Sequence, residues 1–274
     1  MNVKMNAKPE VLILGCGYTG QRVARRFLAK GANVTATTRD PRRLAKLGCN
    51  VINVAEMGGA ELPQHLQPGM LVLYSIPPAG PANMLSALRG YASRIVYLSS
   101  TAVYGSATLV DENTAVDPST EAARARLDSE KSIAEGPWSS LVLRPAAIYG
   151  PGRGVQESIQ RGEHSVSDRY VSRIHVDDLA AHAEAALLSM LTGAYPVADE
   201  EPCTSREIAE FCAKLLNVPV EGTHAGYAGR APRFANNRRV DGSAIRKALG
   251  ITLQYPSYWV GVPAALAAAA KGEE

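Results

Sequence analysis

The stretch VLILGCGYTGQRVARRF, Val11 to Phe27, runs from four apolar residues through three glycines into an arginine-rich amphipathic segment. Val11–Leu14 lacks polar alternation, the pattern of a strand covered on both faces. From Tyr18 onward the spacing becomes helical. Val23, Phe27 and Leu28 share one face, Arg22, Arg25, Arg26 and Lys30 lie off it, and Gly31 ends the helix. Gly15, Gly17 and Gly20 therefore fall between a strand and a helix start, the context in which a GxGxxG loop holds a dinucleotide diphosphate. Gly15 permits the tight turn, Gly17 lets the backbone approach a pyrophosphate, and Gly20 lets helix and strand pack closely. The helix N-terminus, at Tyr18 and Thr19, presents its amides and positive dipole end to the phosphates.

Working outward, Val34–Thr38, Val51–Val54, Leu71–Ser75, Ile95–Ser99 and Leu141–Arg144 are further apolar runs separated by helical patterns. That alternation predicts a parallel sheet with right-handed crossovers. Beyond Arg144 the rhythm changes. A glycine-rich loop (YGPGRG) is followed by predicted helices at Val176–Leu191, Thr204–Leu216 and Ser243–Leu249, with a polar loop, EGTHAGYAGRAPRFANNRR, between the last two. The expected organisation is a core of residues 9–150, to which 171–200 return. A small cap comes from 151–170 and 201–262, and 263–274 form a fraying helical tail. Tyr258 and Trp259 are expected to seal the cap against the core.

Composition excludes several classes. Of 274 residues, 46% are hydrophobic and 20% charged, ordinary values for a folded globular chain. With 29 basic and 26 acidic residues, net charge is +3, and no basic run concentrates it, so nucleic acid is not an expected partner. Cys16, Cys49, Cys203 and Cys212 are scattered without CxxC spacing, which fits reduced thiols rather than a disulfide framework. His164 and His182 have no ligand-spaced partners, so no metal site is expected. Neither a signal peptide nor a run of about eighteen apolar residues is present, which predicts a cytoplasmic protein without a membrane partner.

The end of the second strand, TATTRDPRR, bears on which dinucleotide is held. An acidic residue there suits the ribose 2′-hydroxyl of NAD, and an arginine suits a 2′-phosphate. Arg39 directly follows Thr38, and Arg42 and Arg43 come one turn later, so several guanidiniums could converge on a phosphate. Asp40 leaves NAD open. Alternatively, Asp40-Pro41 starts the next helix and the arginines are solvated. The reading favours NADP.

With YLSSTAVYG (Tyr97–Gly105), LRPAAIYGPGR (Leu143–Arg153), RIHVDDLA (Arg173–Ala180) and RRVDGSAIRKALGITLQYPSYWVG (Arg238–Gly261) added to the glycine loop, nearly the whole chain resembles the extended and atypical short-chain dehydrogenases/reductases. These are the NAD-dependent epimerases and dehydratases of nucleotide sugars. The resemblance implies an α/β Rossmann fold, a doubly wound parallel sheet with a small C-terminal substrate-binding lobe. It also implies an NAD(P)-dependent enzyme acting on a nucleotide sugar or a small carbonyl or hydroxyl metabolite. By analogy with relatives that often pair through a helix bundle, it implies a homodimer.

The family's chemistry uses a Ser or Thr after the fifth strand and a Tyr-x-x-x-Lys on the next helix. The lysine brings a phenol of pKa about 10 nearer working pH. Ser100 matches the hydroxyl position, and Thr101 or Ser99 could substitute. The next helix reads STEAARARLDSEKSIAEG and has no tyrosine. Aligning on Lys131 puts Leu127 at the tyrosine position, whereas aligning on Glu130 puts Ala122 there and Arg126 at the lysine position. Three explanations stay open. Tyr104, Tyr149, His175 or Arg126 could take over the missing role. Hydroxyls and a bound water could serve a narrower reaction. Or the protein could bind NADP(H) as a regulator or sensor without turnover.

The resemblance further implies that Ser75, Ile76, Pro77 and Pro78 pass the adenosine ribose and pyrophosphate, and that Arg144-Pro145 lies beside the nicotinamide. It also implies that Arg238 and Arg239 grip a substrate diphosphate. In each case a structural role is the alternative.

Overall fold

The computed structural model describes residues 8–54, 62–77, 84–164, 166–220 and 237–272. Pro78, residues 221–236 of the polar loop and the last two residues of the tail lie outside the described residues. Along the chain come β1 (Glu10–Leu14), α1 (Tyr18–Ala29), β2 (Asn33–Thr38), β3 (Asn50–Asn53), β4 (Met70–Tyr74), α2 (Met84–Ala87) and β5 (Ala92–Leu98). There follow β6 (Leu109–Val110), α3 (Glu121–Ala134), β7 (Ser139–Pro145), β8 (Ala147–Tyr149) and α4 (Val155–Gln160). The remainder is β9 (Tyr170–Val171), β10 (Arg173–His175), α5 (Val176–Leu188), β11 (Gly193–Val197), β12 (Cys203–Thr204), α6 (Ser205–Leu216), β13 (Arg239–Val240), α7 (Ser243–Leu249) and α8 (Tyr258–Ala270).

Seven strands form one sheet in the order β11-β7-β5-β4-β1-β2-β3, and every pair from β3 to β7 is parallel. The order reverses direction between β1 and β4. In a doubly wound sheet that reversal opens a crevice at the carboxyl ends of the two strands. Each apolar run of the first half is a strand of this sheet; the central strands are buried on both faces over most of their length, whereas the edge strand β3 leaves Val51 exposed.

The chain divides into two compact units. The first is built from the described residues of Met1–Ser99, Thr120–Leu143 and Ala180–Ala194. Leu12, Leu14, Val72, Tyr74, Ile95, Tyr97 and Val142 meet Leu62, Met84, Leu88 and Ile133 in its core. Charged side chains have definite work in this unit. Arg26 and Lys30 both reach Glu184 of α5 at 2.7 Å, and that carboxylate is only 4% exposed. Arg94 donates to the carbonyls of Ala186 (2.8 Å) and Leu191 (2.6 Å), closing the end of α5. The helix consequently stops at Leu188, three residues before the expected end.

The second unit is built from the described residues of Ser100–Ser119, Arg144–Leu179 and Tyr195–Glu274. Residues 100–119 and 144–150, expected in the range of the core, group with it. Three small strand pairs shape it, β8 with β10, β9 with β12 and β6 with β13. Thr204 closes a capping box with Glu207 at the start of α6, and left-handed Asn217 ends that helix. Asp178 accepts the amides of Gln254 (2.8 Å) and Tyr255 (2.9 Å), tying down the chain ahead of α8. Residues 263–270 form the body of α8. Tyr258 is buried, whereas Trp259 is 52% exposed and lies edge-on to Phe211 at 4.5 Å.

Candidate functional site

The glycine loop lies in the first unit, at the β1/β4 reversal. Gly15 has φ +82°, and a Cβ there would stand 2.9 Å from the Ser75 carbonyl oxygen, so β4's exit excludes any side chain. The Gly15 amide donates to Thr37 Oγ1 (2.9 Å) and the Cys16 amide to the Thr37 carbonyl (2.8 Å), locking the turn against β2. Gly20 lies against β1, where a Cβ would come within 3.1 Å of Ile13 Cγ2. Gly17 is different. A Cβ there meets nothing within 4 Å, and no side chain caps α1, whose N-cap is Gly17. An open glycine before a helix N-terminus of this length leaves backbone donors facing ground that a diphosphate fits.

Tyr18 is half-buried and Thr19 buried on the first turn of α1. Arg22, expected off the apolar face, is 8% exposed. It folds back along α1, donating to the Tyr18 carbonyl at 2.8 Å with its guanidinium 4.2 Å from the Tyr18 ring centre. Burial pushes the Cys16 thiol up to about 12, so this loop cysteine is held neutral. Ser75 continues β4 by donating its amide to the Leu14 carbonyl (2.8 Å), Ile76 is half-buried and Pro77 exposed.

At the end of β2, Thr38 Oγ1 accepts the Asp40 amide at 3.1 Å. Asp40 caps the short 3-10 helix Pro41–Leu44 and takes a two-point bond from Arg42, at 2.8 and 3.1 Å. The Arg42 guanidinium holds the Asp40 carboxyl below its ordinary range. Arg42 is thereby engaged by its neighbour, and Arg39 and Arg43 stand exposed.

On α3, Glu130 is 5% exposed and accepts a 2.5 Å hydrogen bond from Ser99 Oγ, itself 5% exposed. One turn earlier Arg126 is half-buried near the hydroxyl of Tyr97, alongside Ser129. Burial pushes the Tyr97 phenol up, and the Arg126 charge works against that shift. Lys131 stands exposed on the last turn and Ala122 exposed on the first. In the sequence Glu130 stands out only as an alignment point. Its burial depends on a serine 31 positions away, which no local pattern signals.

The second unit carries the other candidates. Ser100 caps the 3-10 turn Thr101–Tyr104, with Oγ accepting the Ala102 amide at 3.1 Å, and both Ser100 and Thr101 are half-buried. Tyr104 is fully buried, and its hydroxyl accepts from Arg144 Nη1 at 3.1 Å. Pro145 is buried beside Arg144. Arg238 is 7% exposed, and its guanidinium donates to the carbonyls of Thr101, Gly105 and Ala107. Arg239 lies over the Tyr170 ring at 3.5 Å. Tyr149 is buried, with its hydroxyl 3.4 Å from the Ser257 carbonyl and its ring edge-on to His175. Burial, reinforced by the nearby Asp199 and Asp178, pushes its phenol well up. The structure thus gathers Ser100, Thr101, Tyr104, Arg144 and Arg238 around one turn, and sets Tyr149 and Arg239 elsewhere in the unit.

Among the described residues no three His, Cys, Asp or Glu side chains cluster as metal ligands, and no helix is long and apolar enough to cross a membrane. The model of the NAD dependent epimerase/dehydratase family matches residues 70–196. The chain is 26% identical to a 3-diazoavenalumate denitrifying reductase of a Streptomyces species, over 92% of this chain and 98% of that one. It is 27% identical to a candidate NAD-dependent epimerase/dehydratase of Methylobacillus flagellatus, with TM-score 0.78 and coverage of 96% of this chain and 99% of the other. The Bordetella bronchiseptica enzyme WbmG, solved with NAD and UDP, shares the fold at 17% identity and TM-score 0.78, over 99% and 97% of the two chains. WbmG holds NAD, and Gly17 of this chain leaves open ground of the kind that a dinucleotide diphosphate needs. Over residues 70–196 the chain is thus similar to the NAD dependent epimerase/dehydratase family, and its seven-stranded sheet is of the Rossmann type.

Proposed function

We propose that this chain is an NADP(H)-preferring enzyme acting on a hydroxyl or carbonyl of a nucleotide sugar or small polar metabolite, in an active site without the family's tyrosine. The observation that carries the reading is the glycine loop, closed at Gly15 and Gly20 and open at Gly17. Gly15, Gly17, Tyr18, Thr19 and Gly20 hold the pyrophosphate, Thr38 and Arg39 the adenosine end, and Ser75, Ile76 and Pro77 the adjoining ribose. When bound, the cofactor supplies hydride transfer at the nicotinamide ring.

The buried Glu130 supports the register that places Arg126 at the family's lysine position and exposed Ala122 at its tyrosine position. In that register Arg126 stabilises negative charge developing on the reacting oxygen. Tyr104 and Tyr149 are poor proton donors. The first is buried against Arg144, and the second is buried with its pKa raised. A solvent-derived proton serves the reaction instead.

The exposed Ala122 favours a second reading, a dinucleotide sensor without turnover. Following NADPH absorbance against sugar nucleotides and small carbonyls separates the two. The Streptomyces relative's name adds a diazo compound to that panel. Oxidation of NADPH by any member supports the enzyme. Tight cofactor binding with silence across the panel supports the sensor.

A further inference from the structure

Asp199 follows β11 in the second unit and is 3% exposed. Its amide donates to the Arg173 carbonyl at 2.7 Å, fixing the backbone, yet among the described residues neither carboxyl oxygen has a hydrogen-bond partner. A buried carboxylate without donors is strongly disfavoured and takes up a proton instead.

Each charged or titratable neighbour is engaged elsewhere. Arg173 on β10 donates through Nη1 to the Val171 carbonyl (2.7 Å) and to Cys203 Sγ (3.1 Å). Arg246 on α7 donates to the Ala198 carbonyl (2.9 Å) and lies 3.6 Å from Glu200. Tyr149 on β8 is turned to Ser257. Cys203 on β12 is a buried thiol, raised to about 11 by burial, and offers no positive charge. The Glu201 amide in the following loop favours the charged form, and the carboxylate of the same residue opposes it. The two cations near Asp199 thus bond to its surroundings rather than to its carboxyl oxygens.

We infer that Asp199 is held protonated in the folded chain, and that its ionisation is a pH-sensitive switch that loosens the second unit around β8 and β10. Burial raises the Asp199 carboxyl well above its ordinary range, against the pull of Arg173. A carboxyl whose folded pKa exceeds its unfolded value binds its proton more tightly when folded. Its contribution to stability is complete below the ordinary carboxyl range and is lost as pH rises toward and through the folded value.

The test is thermal melting of the full chain without added nucleotide, from about pH 5 to about pH 9, for wild type and Asp199→Asn. The amide keeps the shape and cannot ionise. The expected result is a wild-type melting temperature that falls by a few degrees more than that of the variant as pH rises, with the variant the more stable at the alkaline end. Parallel profiles, or a variant less stable throughout, would overturn the inference, because they would mean that Arg173 requires the charge. Should Asp199→Asn fail to fold, the infrared spectrum of aspartate-labelled wild type at neutral pH decides. A protonated carboxyl band is expected, and carboxylate bands alone overturn the inference.

Discussion

Gly15 and Gly17 stand two residues apart, yet they answer to different forces. Gly15 is fixed by its positive φ and by the Ser75 carbonyl, so Gly15→Ala costs folding stability of about 1–2 kcal/mol, measurable by denaturant titration. Gly17 faces open ground, so Gly17→Val leaves the melting temperature nearly unchanged while lowering dinucleotide affinity by at least about tenfold in calorimetry. A Gly17→Val variant that binds normally would remove the diphosphate from this loop. Arg39 gives a third test. Arg39→Ala lowers affinity for NADPH by about tenfold and leaves NADH nearly unchanged, because only the former carries a 2′-phosphate. The neighbouring residues show where sequence reading runs out. Asp40 as a helix start was one of its alternatives and is what the chain adopts. The burial of Arg22 and Arg238 was not legible. The first turns back along its own helix, and the second bonds carbonyls more than 130 positions away.

Among the elements, the long parallel strands are legible because burial on both faces leaves unbroken apolar runs; α6 begins one residue after its expected start, where Thr204 and Glu207 close a capping box. Thr204→Ala removes that cap and costs about 1 kcal/mol of stability in urea unfolding. The strands β6, β9, β12 and β13 have two residues each, too few for any period to register, and partners distant in sequence define them. The pairing of α1 with α5 makes an asymmetric prediction. Removing both Arg26 and Lys30 strands a buried Glu184 and destabilises by roughly 2–3 kcal/mol, a value reduced by the exposure of the two cations. Glu184→Gln leaves exposed cations in water and costs about 1 kcal/mol or less. Equal losses in the two variants would mean that the pairing itself contributes little.

For the molecule as a whole, alternating strands and helices imply the parallel sheet but not its order; the observed reversal at β1/β4 places the glycine loop where such sheets bind ligands. The proposed catalytic constellation is less legible. Its usual signature, a tyrosine on α3, is missing, and Ser99–Glu130 is a contact between elements. The claim on which the rest depends is that the backbone around Gly17 clasps a nicotinamide dinucleotide. Isothermal calorimetry of the full chain against NADPH and NADH tests it most directly. The account predicts saturable one-to-one binding, tighter for NADPH, and its loss in Gly17→Val. No heat from either nucleotide at millimolar concentration, with the protein folded, would contradict it.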